Sequence, residues 1–412
     1  MTREETSKSR MRIAQWITAL VAFATTAYFL QSSLPVQSAA ASFDVMETTI
    51  EDVHKAYSSG QLSARQLTQV YLDRIEAYDK NGPKINCVIT VNPKALEEAD
   101  ALDAAFKKSG FVGPLHGIPV VFKDQMDVAG IRTTLGSVVF EKYVPTQDSF
   151  VVDKLRKAGA IVLAKVTLGE LGGGDTFGSL FGETHNPYDL ERTAGGSSGG
   201  TGAAVAANFA TVGIGQEGFA SIRRPSTWNS IVGMRPTAGL VSRTGVYAGW
   251  PSTNGSLGPM TRTVSDLAKL LDVMVGYDRE DPVTALGVGQ VPDSYTKFLV
   301  KDGLKGARIG VLRETFGSDS EPDSEDFKKV TALFDKAIAD LKAAGAEVVD
   351  PIEIPKLNRT ACQESLEHGR WRSERRKLFE PQSELTVQDR GRHSELSALW
   401  RGVPQPKRIR RR

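Results

Sequence analysis

Two glycine-rich loops that carry serine lie within one short stretch of the chain, residues 192–236. The first loop reads GGSSGG and contains Ser197, and the second contains Ser221. Glycine at this frequency lets backbone N–H groups approach a ligand closely. Pro225 predicts a helix that begins at or just after Ser221, and the N-terminus of a helix favours a developing negative charge. The stretch therefore has the features of an active site, with two hydroxyl groups and backbone donors for an anion.

A lysine at the end of an apolar run could supply the base that a serine nucleophile needs. Lys123 follows Val120–Phe122 in the sequence GIPVVFKD, and this run predicts a strand that directs the lysine towards the interior. Burial disfavours the charged form of lysine and lowers its pKa, so a neutral Lys123 could accept a proton from a serine. Taken singly, lysine is usually a surface residue and serine a common helix cap. The hypothesis of an active site therefore rests on the occurrence of Lys123 together with Ser197 and Ser221.

The three motifs, in this order, resemble the amidase signature family of Ser-Ser-Lys amide hydrolases. They are GIPVVFKD with Lys123, GGSSGG with Ser197, and the Ser-Ile-Arg-x-Pro element that starts at Ser221. The similarity extends from about Ile50 to about Pro355. It implies an α/β fold with a mixed, mostly parallel sheet flanked by helices on both faces. It also implies hydrolysis of a small-molecule amide without a metal or an organic cofactor.

The resemblance implies a role for each residue of the site. Ser221 would be the nucleophile that forms the acyl-enzyme, Ser197 the bridging serine that follows a cis peptide bond, and Lys123 the base. The oxyanion would be bound by the backbone N–H groups of Gly218, Phe219, Ala220 and Ser221. We interpret Arg224 as a candidate substrate-binding residue, although an apolar residue is common at its position.

The residues before Ser221 depart from the family's pattern. The family usually has Gly-Gly directly before the nucleophile, where this chain has Phe219-Ala220. It usually has Thr-Asp or similar residues where this chain has Gln216-Glu217. A positive φ would be costly for a bulky side chain, whereas a negative φ would leave the backbone donors unaffected.

Two other functions fit part of the sequence. Gly195–Gly199 matches the G-x-S-x-G elbow of α/β-hydrolases, which would make Ser197 the nucleophile of a serine esterase. That motif needs a strand immediately before it, whereas residues 186–194 are typical of a loop, and the downstream histidines, His368 and His393, lie in an atypical tail. A non-catalytic binding protein that retains the fold is the other alternative, motivated by Phe219-Ala220 and that tail. A nucleotide P-loop is disfavoured, because no Gly-Lys-Ser/Thr follows GGSSGG.

Helix and strand patterns alternate along the chain, as expected of a mostly parallel sheet with helices. A capping box at Ser63–Gln66 predicts the start of a helix. Further helices are predicted over residues 93–106, 150–157, 203–210, 258–275 and 324–344. Strands are predicted over residues 85–91, 120–122, 160–166, 211–215, 307–313 and 347–354. The inward side of the last helix is predicted to comprise Phe327, Val330, Phe334, Ile338 and Leu341.

The composition is that of an ordinary globular protein. The 412 residues, 40% hydrophobic and 24% charged, suffice for one large domain or two. A net charge of +2 argues against a nucleic-acid partner. Cys87 and Cys362 are too few for a disulfide framework or a cysteine-rich zinc site, and they leave one disulfide open. The oligomeric state cannot be predicted.

Residues 1–41 are predicted to be a signal peptide or an N-terminal membrane anchor. A basic start precedes the apolar run Ile13–Leu30, and the small residues Ser38–Ala41 follow it. The length of the run, with Trp16 and Tyr28, keeps an uncleaved anchor as the alternative. Both interpretations predict an exported protein, periplasmic or extracellular, that contacts a membrane only through this segment.

The composition changes again near the C-terminus. Residues 43–365 are predicted to form the catalytic domain, and residues 366–412 are rich in arginine and poor in periodic apolar residues. That composition is typical of a solvated, disordered extension, and a nucleic-acid-binding tail would fit an exported protein poorly. The resemblance implies further core elements here, so we expect an incomplete fold and a substrate cleft open on one side of Ser221.

Overall fold

A computed structural model describes residues 43–247, 255–313 and 324–355 of the chain. The predicted signal segment, the arginine-rich tail and Cys362 lie outside these residues, whereas Cys87 is buried. The chain divides into two compact units, one ending at Lys297 and one beginning at Phe298. The predicted catalytic residues all belong to the first unit. The boundaries 43–365 of the catalytic domain stay a prediction.

The strands of the first unit are β1 (Val88–Val91), β2 (Pro119–Lys123), β3 (Ile161–Val166), β4 (Phe177–Gly178), β5 (Gly182–Glu183), β6 (His185–Asn186), β7 (Asp189–Thr193), β8 (Val212–Glu217), β9 (Val232–Gly233) and β10 (Ser256–Thr261). Six of them form one sheet in the order β1-β3-β2-β8-β10-β9. Strand β2 pairs in parallel with β3 and β8, and the outer pairings are antiparallel. Four of the six strands, β2, β3, β8 and β9, therefore run in one direction. This confirms the predicted α/β fold with a mixed, mostly parallel sheet.

The helices of the first unit are α1 (Ile50–Ser58), α2 (Ala64–Ile75), α3 (Ala95–Ser109), α4 (Phe150–Lys157), α5 (Gly199–Ala206), α6 (Arg223–Trp228) and α7 (Val264–Met274). The predicted capping box is present: Ser63 accepts from the Gln66 N–H, and the Gln66 side chain accepts from the Ser63 N–H. Helix α4 has the predicted bounds. Among the described residues, we find no helix with the length and apolarity needed to span a membrane.

The burial of the three central strands explains why their sequences are apolar. Every residue of β2, β3 and β8 is buried. Strands buried on both faces lose the alternation of apolar and polar residues that a half-exposed strand shows. The core therefore fixes the positions of the C-terminal ends of β2 and β8, which carry Lys123 and Glu217.

The prediction for α5 is wrong by four residues at each end. The helix starts at Gly199 rather than at residue 203, because the glycines of GGSSGG pack closely against neighbouring segments. A Cβ on Gly200 would lie 2.3 Å from the Thr167 carbonyl oxygen, so only glycine fits the first turn. The helix ends at Ala206 because Asn208 has a positive φ of 55°. Strand β8 then extends two residues beyond the prediction, to Glu217.

Two other segments were predicted with the wrong kind of secondary structure. Residues 258–261 form the second part of β10 rather than the start of a helix, because they pair with β8 in a buried ladder. Helix α7 starts later, after the cap Thr263. Residues 186–194, predicted as a loop, include β7, which pairs with β6 in a two-stranded sheet.

The second unit contains β11 (Arg308–Gly310), α8 (Glu325–Ala343) and β12 (Glu347–Val349), and the two strands are parallel. Ile338 is buried as predicted. Val330 and Phe334 are not, since their exposed fractions are 53% and 46%. The two described strands have three residues each and cover little of the helix.

Candidate active site

Lys123 lies at the end of β2 with its side chain fully buried. Its Nζ donates to Ser197 Oγ at 2.7 Å and to the Gln216 carbonyl oxygen at 3.0 Å. Gln216 belongs to β8, whose pairing with β2 brings the ends of the two strands together. The sheet therefore places the predicted base in direct contact with the predicted bridging serine.

The surroundings of Lys123 favour its neutral form. Burial lowers the pKa of Lys123 well below its usual value, and the carboxylate of Glu217 opposes this by raising the pKa. A second buried lysine, Lys165 on β3, differs because its Nζ lies 2.7 Å from Asp124 Oδ1. In the described part of the chain, no carboxylate forms such an ion pair with Lys123. A lysine that is desolvated and not ion-paired can serve as a general base.

Ser197 is fully buried and follows a cis peptide bond from Gly196, as the resemblance implied. Its carbonyl oxygen accepts from the Gly169 N–H at 2.9 Å. The neighbouring Ser198 hydroxyl donates to the Gln216 carbonyl oxygen at 3.1 Å. The GGSSGG loop is thus anchored to the end of β8 beside Lys123.

Ser221 is partly exposed and lies between β8 and α6. The Ser198 N–H donates to the Ser221 carbonyl oxygen at 3.1 Å, which joins the two serine loops. Helix α6 begins at Arg223, close to the start that Pro225 predicted. Within the described residues, no hydrogen bond joins the hydroxyls of Ser197 and Ser221. Their assignment as bridging residue and nucleophile stays a prediction.

The turn before Ser221 contains the residues that the sequence predicted to bind the oxyanion. Neither Phe219 nor Ala220 has a positive φ, so the departure from Gly-Gly costs no backbone strain. The Phe219 side chain is 73% exposed. In the described part of the chain, the N–H groups of Gly218, Ala220 and Ser221 have no hydrogen-bond acceptor. Their role as oxyanion donors is a prediction that this geometry permits.

Glu217 lies beside the proposed catalytic residues. From the sequence, it was recognised only as differing from the residues that the family usually has at this position. Its buried carboxylate accepts from the N–H groups of Ile222 at 2.8 Å and Arg223 at 3.0 Å. It also pairs with the Arg223 guanidinium at 2.6 Å. These contacts fold the chain back directly after Ser221. An acidic residue four positions before a serine and six before an arginine was the only available signal.

Arg224 contacts other parts of the protein in this structure. Its guanidinium forms an ion pair with Asp175 and donates to the carbonyl oxygens of Gly196 at 3.2 Å and Gly174 at 3.3 Å. Its Cζ lies 5.2 Å from the centroid of the Trp228 ring. The role of Arg224 in substrate binding stays a prediction.

The geometry around Ser197 disagrees with a nucleophile elbow. A strand, β7, does precede the loop, contrary to the sequence prediction, but it belongs to the small β6–β7 sheet. Ser197 is buried, and its Oγ contacts a lysine, whereas an elbow serine is exposed and acts with a histidine. The described residues also bring together no group of three or more His, Cys, Asp or Glu side chains suited to a metal ion.

Comparison with known proteins identifies similar chains. The model of the family described as Amidase matches residues 66–379. A glutamyl-tRNA(Gln) amidotransferase subunit from Caldanaerobacter subterraneus subsp. tengcongensis is 38% identical over 314 residues, which cover 76% of this chain and 61% of that protein. The corresponding subunit of Methanosarcina barkeri is 40% identical over 290 residues, 70% of this chain and 57% of that protein. The chain thus spans about three fifths of the length of these relatives.

Solved structures show the same fold. The native peptide amidase of Stenotrophomonas maltophilia has a TM-score of 0.69 and 38% identity, covering 77% of this chain and 64% of that chain. The corresponding glutamyl-tRNA(Gln) amidotransferase subunit from Thermotoga maritima has a TM-score of 0.68 and 29% identity, covering 87% of this chain and 72% of that chain.

Proposed function

The chain belongs to the amidase family, and we propose that it hydrolyses the C–N bond of a carboxylic amide through an acyl-enzyme. The observation that carries this proposal is the buried, desolvated Lys123, whose Nζ lies 2.7 Å from Ser197 Oγ. The same loop is joined to the Ser221 segment by the hydrogen bond from the Ser198 N–H. In this proposal Lys123 is the base, Ser197 the relay group and Ser221 the nucleophile, and all three act near the ends of β2 and β8.

The proposed reaction has two halves. Neutral Lys123 accepts the Ser221 proton through the Ser197 hydroxyl, while Ser221 Oγ attacks the amide carbon and the turn N–H groups bind the oxyanion. The C–N bond then breaks, and the leaving amine takes its proton back along the same path. Water attacks the acyl-enzyme by the reverse route, which releases the carboxylic acid and restores Ser221.

The similarity to known proteins favours two classes of substrate. The similarity to a peptide amidase favours a peptide amide, which would give a free peptide acid and ammonia. The similarity to amidotransferase chains favours glutamine as the amide, with further protein chains as partners. We favour the peptide amide, because the export that the N-terminal sequence predicts is incompatible with work on tRNA in the cytosol.

Release of ammonia tests the proposed function. We expect the chain to release ammonia from an N-blocked dipeptide amide and expect Ser221→Ala to abolish this release. Release from glutamine alone would instead support the amidotransferase alternative. If Ser221→Ala still released ammonia from the peptide amide and from glutamine, Ser221 could not be the nucleophile.

Export of the protein is part of the proposal and rests on the sequence of residues 1–41. After expression in a bacterial host, we expect the chain outside the cytoplasm or bound to the membrane. Sequencing of its N-terminus separates a cleaved signal peptide from a retained anchor. Recovery of the intact chain only from the soluble cytoplasmic fraction would contradict export.

A further inference from the structure

Arg224 links three segments of the candidate site through separate groups of one residue. Its backbone N–H donates to the Ala220 carbonyl oxygen at 2.9 Å, within the turn that carries Ser221. Its Nε donates to the carbonyl oxygen of Gly196, the residue before Ser197. Its Nη2 contacts Asp175 and the Gly174 carbonyl oxygen.

The segment at residues 174–175 packs directly against the Ser197 loop. A Cβ built on Gly196 would lie 2.4 Å from the Gly174 carbonyl oxygen and 2.7 Å from the Asp175 Cα. There is therefore no space between the two backbones at this point. Asp175 thus lies beside the loop, and its carboxylate pairs with the Arg224 guanidinium.

The planar guanidinium suits these contacts better than an ammonium would. It presents several N–H donors in a fixed fork, so it can contact a carboxylate and two carbonyl oxygens at once. Its Cζ lies over the Trp228 ring on α6, a cation–π contact that arginine favours. The Arg224 side chain retains an exposed fraction of only 21%, so most of its surface is committed to the protein.

We propose that Arg224, held by Asp175, is a positioning residue that fixes the Ser197 loop relative to the Ser221 turn. This inference deepens the proposed function, since it gives a structural role to a residue first interpreted as a substrate contact. Without the guanidinium, the Gly196 carbonyl would lose its donor, and Ser197 Oγ could move away from the path between Lys123 and Ser221. Misplacement of a reacting group by about 1 Å can cost about 10²-fold in rate.

Steady-state kinetics on an uncharged and on a negatively charged amide distinguish positioning from substrate binding. We expect Arg224→Met to lower kcat about 10²-fold on both substrates with little change in KM. Asp175→Asn should give a smaller loss of the same kind. The double variant should lose less than the product of the two single effects, because both changes disrupt one contact. Arg224→Lys should recover only part of the rate.

Hydrogen exchange gives a second readout that does not depend on turnover. We expect faster exchange of the backbone amides of residues 194–198 in Arg224→Met and in Asp175→Asn than in the wild type. The matched control is Arg192→Met, which removes an exposed arginine of β7 that pairs with Asp189 of the same strand and should leave exchange and rate unchanged.

Two results would overturn the positioning role. One is a rise in KM for the negatively charged amide alone, with no effect of Asp175→Asn, which would make Arg224 a substrate-binding residue. The other is unchanged exchange across residues 194–198 in both variants. A wild-type chain without amide hydrolysis would refute the proposed function, while the exchange measurement would still decide the role of Arg224.

Discussion

Lys123 is the residue whose protonation state decides whether the proposed site can work. Because burial lowers its pKa well below the usual value, activity should rise with pH through that lowered pKa. We expect Lys123→Ala to lose about 10²- to 10⁴-fold in kcat and to lose this rise with pH. Rates of amide hydrolysis across a pH series measure the loss of kcat and the loss of the rise with pH. Substantial activity with an unchanged pH profile in Lys123→Ala would exclude the lysine as the base.

The same burial makes the stability of the fold depend on pH. Between the lowered pKa of folded Lys123 and the unfolded value near 10.5, the unfolded chain binds the additional proton. The free energy of unfolding contributed by Lys123 therefore rises with pH across this window. We expect Lys123→Met to lack this rise, so that its stability relative to the wild type declines as the pH increases across this window.

Urea unfolding at several pH values tests this linkage. Lys165→Met is the control, because it removes the other buried lysine and leaves Asp124 as an unpaired buried carboxylate. That variant should be destabilised by about 3–5 kcal/mol. A parallel pH dependence of Lys123→Met and the wild type would show that Lys123 is charged in the folded protein.

Among single residues, the sequence was enough to propose Lys123, Ser197 and Ser221 as the site, because each lies inside a motif that is contiguous along the chain. It did not reveal the contacts of Glu217, because Glu217 and its partners Ile222 and Arg223 form no recognised motif although they are close in sequence. Asp175 lies 49 positions from Arg224, and no local pattern connects them. The contact of Asp175 with Arg224 could be found only in the folded chain.

At the scale of elements, the turn between β8 and α6 depends on Glu217. Glu217→Gln removes the negative charge that raises the pKa of Lys123, so the acid limb of the activity profile should move to lower pH. It also weakens the acceptor of the Ile222 and Arg223 N–H groups, so kcat should fall. Glu191→Gln, on exposed β7, is the matched control. Movement of the acid limb to higher pH would contradict this account of the electrostatics.

A substitution in helix α5 tests the close packing of the GGSSGG loop. Gly200→Ala would place a methyl group 2.3 Å from the Thr167 carbonyl oxygen, so the helix must shift. We expect a loss of about 1–3 kcal/mol in the free energy of unfolding. Gly218→Ala is the control for stability, since a Cβ there meets no atom within 4 Å. Equal unfolding midpoints for the two variants in urea would contradict the packing.

The boundaries of elements were the less predictable part of the fold. Glycine disfavours helix in isolation, so propensity placed the start of α5 after the glycines, whereas packing against Thr167 moved it into them. The Gly258–Thr261 segment looked like the approach to a helix, but pairing with β8 made it a strand. Both errors arose where tertiary contacts override local preference.

At the scale of the whole molecule, the α/β class and the apolar central strands could be predicted from the alternation of patterns alone. The order of the strands could not, because β9 and β10 join the sheet by antiparallel pairings that leave no local signal. Lys123 lies far along the chain from the stretch that carries Ser197 and Ser221, and the pairing of β2 with β8 brings the two regions together. We infer that this assembly makes Ser221 the nucleophile.

Labelling with a serine-directed fluorophosphonate, followed by mass spectrometry of the modified peptide, tests whether Ser221 is the nucleophile. We predict that the label is attached to Ser221, that Ser221→Ala abolishes it, and that Lys123→Ala slows it. A label found on Ser197 that persists in Ser221→Ala would contradict the account and would favour the elbow-type hydrolase.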